Sequence, residues 1–64
     1  MNLRNYYEKE VEILSVDGNF FRGRINDYFE PDDNENNLES IVMDTIDGDI
    51  IEFYEHDIET ITII

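Results

Sequence analysis

Val11-Glu12-Ile13-Leu14-Ser15-Val16-Asp17-Gly18-Asn19-Phe20-Phe21-Arg22-Gly23-Arg24-Ile25 decides the fold of this chain. From Glu10 the residues alternate apolar and polar through Val11, Glu12 and Ile13, and lose the strict period at Leu14-Ser15-Val16, so residues 10 to 16 read as one strand with room for a bulge. Asp17-Gly18 tolerates positive φ and makes a tight hairpin turn. A longer strand, residues 19 to 29, follows. Phe21, Gly23 and Ile25 fall on one face, and Phe20, Arg22, Arg24, Asn26 and Tyr28 on the other. Gly23 in mid-strand marks a sharp bend or a close backbone approach.

The pattern continues in both directions. Residues 30 to 37 hold a Pro and no apolar side chain, which makes them an exposed loop. Leu38 to Asp44 reads as a third strand with Ile41 and Met43 inward, and Asp47-Gly48 repeats the first turn's chemistry. Ile50 to Tyr54 is a fourth strand, Glu55-His56-Asp57 a single 3₁₀ turn, and Ile58 to Ile64 a fifth strand. Residues 3 to 9 form a short helical cap, in which Tyr6 and Tyr7 plug the end of the fold. No internal repeat or linker is read in the chain.

Composition bounds the rest. Sixty-four residues make one domain, residues 1 to 64. Ile occurs ten times while Ala and Gln are absent, an inventory for strands rather than helices. Seventeen acidic residues against four basic ones leave a net charge of −13, which argues against nucleic acid and anionic membranes as partners. The absence of cysteine removes disulfides, thiolate zinc sites and cysteine nucleophiles together. Neither a signal-length apolar start nor a run of about 20 apolar residues is present, so a soluble, cytoplasmic location is expected.

Five short strands, a long loop after the second and a tight turn after the fourth give the order of a small all-β, SH3-like barrel. Its residues also resemble the first signature of Sm-like (LSM) proteins: Val11-x-Ile13, Asp17-Gly18, Phe21-x-Gly23-x-Ile25, Tyr28 and Asp33-Asn34. Phe53 to Ile61 has the hydrophobic spacing of the second Sm signature, and the fuller string through Asp27-Tyr28 to Ser40-Ile41 is similar to small Sm-like proteins of Gram-positive bacteria and their phages. The resemblance implies a five-stranded barrel with a short N-terminal helix or arm, and assembly into head-to-tail rings. It does not carry RNA binding with it. Where RNA-binding Sm proteins have an Arg-Gly pair, this chain has Tyr54 and Glu55, and Asp32, Glu35 and Asn36 lengthen the loop holding Asp33-Asn34, which places more negative charge where RNA would enter the ring.

Residues 30 to 64 hold twelve acidic residues and no basic one. That excess serves either solubility around sticky Ile-rich strands, or a basic partner protein, or the imitation of nucleic-acid phosphates. Asp32-x-Asn34-x-Asn36 opens like a calcium loop, but Asn37 replaces its turn Gly and Met43 its bidentate Glu, so no metal is expected. His56 is a lone turn histidine, Ser15 and Ser40 lack a nucleophile-elbow context, and no Gly-rich phosphate loop exists. No enzyme and no cofactor are read here. Phe20, Arg22, Arg24 and Tyr28, projecting from one face, are expected to form a partly basic contact patch for another copy's acidic half. A second group of contact candidates is Asp32, Asp33, Glu35, Tyr54 and Glu55, and the expected role is a small binding or assembly module whose partner is a protein or a second copy of the chain.

Overall fold

The computed structural model describes residues 1–64 as an all-β chain. Its strands are β1 (Glu10–Ser15), β2 (Phe20–Phe29), β3 (Ser40–Thr45), β4 (Ile50–Tyr54) and β5 (Ile58–Ile63), with 3₁₀ turns at Leu3–Tyr6, Pro31–Asp33 and Glu55–Asp57. All pairings are antiparallel, in one sheet ordered β4-β3-β2-β1-β5.

The outermost strands of that sheet are joined by three residues. Laid flat, β4 and β5 would stand four strand spacings apart, about 19 Å. The four backbone steps from Tyr54 to Ile58 reach at most about 14 Å when fully extended, and here they run through a tighter 3₁₀ turn. The sheet is therefore rolled. Its inner face holds one core of Leu3, Val11, Ile13, Ile25, Ile41, Met43, Phe53 and Ile58. Phe21 of β2 meets Phe53 of β4 edge to face, with ring centroids 5.2 Å apart.

Expected elements recur with instructive differences. In β1 the alternation never breaks: Ser15, rather than Leu14 or Val16, takes the third inner position after Val11 and Ile13. Its hydroxyl is satisfied there by Asp17 and by the Asn19 carbonyl at 3.2 Å. An irregularity does lie at Leu14/Ser15, but the extra residue is Glu59, in β5. In both Asp-Gly turns only the glycine has positive φ, Gly18 at 90° and Gly48 at 92°. Each loop has three residues rather than two, closed by Ser15 N–H to the Asn19 carbonyl (2.9 Å) and by Thr45 N–H to the Asp49 carbonyl (2.8 Å).

Gly23 meets the expectation of a close approach. A methyl group there would overlap the Asp44 carbonyl oxygen and lie 2.8 Å from Thr45 Cα. The cap is sealed differently from expectation, because Leu3 is the fully buried residue, Tyr6 is half-buried and Tyr7 is exposed. Leu3 N–H donates to Glu39 Oε1 at 2.7 Å, which ties the cap to the approach of β3.

Candidate protein-contact surface

The predicted patch on β2 is divided by a bulge. Ile25 pairs with Met43 and Asp27 with Val42, so Asn26 is one residue too many, and from there the side chains change face. Tyr28 consequently lies opposite Ile41 on the inner face and packs against the core. It does not share a face with Phe20, Arg22 and Arg24, and that part of the expected patch is corrected. Tyr28 instead holds the N-terminal cap. Its hydroxyl donates to Glu39 Oε2 at 2.9 Å, and the Arg4 guanidinium sits 5.4 Å from its ring centroid while pairing with Glu30 at 2.8 Å. Burial, followed by the hydrogen bond and the charge of Glu39, raises the Tyr28 pKa above its ordinary 10.0.

Phe20, Arg22 and Arg24 remain together on the outer face, all exposed. Arg22 lies opposite Glu12, and Arg24 is flanked by Glu10 and Asp44. Neither arginine comes within 4.0 Å of a carboxylate, so the cross-strand neighbours shape the local field without fixed ion pairs.

The second group, Asp32, Asp33, Glu35, Tyr54 and Glu55, is drawn to one end of the sheet by the pairing of Ser40 with Tyr54. Asp32 and Asp33 occupy the exposed 3₁₀ turn after β2. Glu55 N–H donates to the Glu39 carbonyl at 3.1 Å, and Asp57 accepts from Tyr54 N–H at 3.0 Å. The ring of Tyr54 stacks on His56 with centroids 6.1 Å apart, and the imidazole lies 3.3 Å from Asp57. The charge of Glu52 first, then desolvation and a hydrogen bond to Glu52, raises the Tyr54 pKa; Asp57 and Glu35 add to the shift. Negative potential from the loop and from β4 thus converges on one phenol.

Sequence reading missed what holds that loop. Asn34 Nδ2 donates to the Leu38 carbonyl (2.8 Å) and to Ser40 Oγ (3.0 Å), and Ser40 in turn donates to Glu52 Oε2 at 2.8 Å. The available signal was a serine directly before the apolar run Ile41-Val42-Met43, since a hydroxyl drawn into the core by such neighbours needs partners. No group of three or more His, Asp or Glu side chains is arranged to hold a metal ion. No helix is long and apolar enough to cross a membrane.

The fold and surface define a small all-β domain with two free strand edges and a dense carboxylate surface. Comparison with protein-family models, with curated proteins and with solved structures finds no match.

Proposed function

We propose that the domain is a non-enzymatic binding and assembly module that makes protein contacts through its strand edges, first among them contacts with further copies of itself. The observation that carries this reading is the pair of open edges: β4 and β5 each have one partner in the sheet and a free side. Neither strand contains Pro or Lys, and each carries a single charged residue, Glu52 in β4 and Glu59 in β5. Main-chain groups on such an edge are a template for strand addition. The strand order, the long loop after β2 and the three-residue β4–β5 connection support the Sm-like, SH3-like barrel reading, in which open edges join neighbouring subunits head to tail.

Absolute mass by light scattering behind a sizing column, at low and at high salt, tests this. A ring of defined size, more populated at high salt where the −13 charges are screened, is the expected result. A monomer at both salts overturns self-assembly.

A second reading is favoured by the twelve acidic residues and no basic one in residues 30 to 64: an acidic surface that imitates nucleic-acid phosphates and occupies a basic protein cleft. It predicts a monomer whose target affinity falls steeply with salt. RNA binding is disfavoured by the same carboxylates, and a gel shift of oligo(U) or oligo(A) RNA at physiological salt would reverse that judgement.

A further inference from the structure

Against the expectation of no internal repeat, the two hairpins that share one end of the sheet are chemical copies. Ser15-Val16-Asp17-Gly18-Asn19-Phe20-Phe21 and Thr45-Ile46-Asp47-Gly48-Asp49-Ile50-Ile51 match position by position: hydroxyl, β-branched apolar, Asp, Gly, Asn or Asp, and two large apolar residues. The hydroxyls brace equivalent loops, Asn19 N–H donating to Ser15 Oγ (3.2 Å) and Asp49 N–H to Thr45 Oγ1 (3.0 Å). Neither turn needs an apolar residue at its first loop position, yet Val16 is 62% exposed and Ile46 70%. Phe20 at 68% and Ile50 at 74% complete a set of four large side chains displayed to solvent.

The second turn lies against β2, where Ile46 N–H donates to the Arg22 carbonyl at 3.0 Å, and the first lies against the last 3₁₀ turn, where Val16 N–H donates to the Asp57 carbonyl at 3.0 Å. Half-buried Phe21 and Ile51 form a floor shared by two clefts of about 280 and 250 Å³. Phe20 and Ile46 flank the first, and Val16 and Phe53 the second. The rims are acidic: Glu12, Asp47 and Asp49 around one, Asp17, Glu52 and Asp57 around the other, against the single cation Arg22.

We infer that this hairpin end docks a cationic segment of a partner protein, one that carries apolar side chains between lysines or arginines. The clefts take the apolar groups over Phe21 and Ile51, and the six carboxylates neutralise the flanking charge. A foreign segment fits that rim better than a second copy, since this chain has only four basic residues to seventeen acidic ones. The inference rests on the reading of the domain as a protein-binding module but not on its strand edges.

The test is fluorescence anisotropy with a dye-labelled peptide of alternating lysines and apolar residues (Trp and Leu), beside the same peptide with serine at the apolar positions, while the mass of each protein sample is recorded by light scattering. The lysine-apolar peptide binds, the serine peptide binds at least about tenfold more weakly, and Phe20→Ser with Ile46→Ser costs about tenfold in affinity, in line with loss of central anchors. Both residues are exposed, so the fold survives their replacement, which circular dichroism checks. Asp47→Asn with Asp49→Asn flattens the salt dependence. Equal binding of the two peptides, or undiminished binding by Phe20→Ser/Ile46→Ser, overturns the inference, as does a fall in that variant's mass, which would make a second copy the occupant. A monomeric parent that binds the peptide upholds this surface while refuting edge assembly, and a ring indifferent to the peptide does the reverse.

Discussion

Asp44 and Thr45 pass so close to Gly23 that the smallest side chain has nowhere to go. The obstruction is backbone, which cannot rotate aside, so Gly23→Ala forces β2 and β3 apart and should cost about 2 kcal/mol, read as a lower urea midpoint. Tyr28 has a pH signature. Its pKa is raised in the folded protein, so its contribution is complete below the ordinary value of 10.0 and is lost as the pH climbs through the raised value. Stability therefore falls above about pH 10, and Tyr28→Phe should flatten that part of the curve; urea midpoints across the alkaline range, with phenolate absorbance followed in parallel, check both. Replacing Glu39 by Gln weakens two contacts at once, since its oxygens receive both Leu3 N–H and the Tyr28 hydroxyl.

At the scale of elements, the loop after β2 depends on one amide. Asn34→Ala removes the bonds to Leu38 and Ser40, and should cost about 1–2 kcal/mol. Hydrogen exchange should quicken through residues 34 to 40 while β1 keeps its protection. The strands themselves were legible because period-two alternation and Asp-Gly turns are local signals, as at Val11, Ile13, Ile41 and Met43, each of which faces inward as read. The bulge at Asn26 was not, since an inserted residue leaves no mark in composition; it shows only in which residue of β3 each residue of β2 faces. For the same reason Tyr28 was assigned to the Arg22 and Arg24 face. Leu3 was overlooked because a single apolar residue near a chain end has no period to announce it. The contact surface at the hairpin end depends on tertiary proximity, and an exposed Val or Ile in a turn is unremarkable until the fold sets each beside a cleft floored by Phe21 and Ile51.

For the molecule as a whole, the balance is between a small core and a large charge. Eight buried apolar side chains stand against a net charge of −13, so added salt should raise the urea midpoint by screening self-repulsion. The free side of β5 gives that charge a further meaning. Ile61 and Ile63 lie in a strand whose outer hydrogen-bonding groups face no partner in the sheet, and the negative charge carried elsewhere opposes unlimited stacking of molecules on it. Protonation removes that guard. Near pH 4, close to where the sequence's charges balance (about 4.1), the same edge becomes a growth front, and the expected product is a fibre with a cross-β repeat of about 4.7 Å. Thioflavin fluorescence after a drop in pH should rise in the parent and stay low for Ile63→Lys, whose side chain is exposed on the same strand, so that acidity itself acts as the latch between a discrete protein and a polymer.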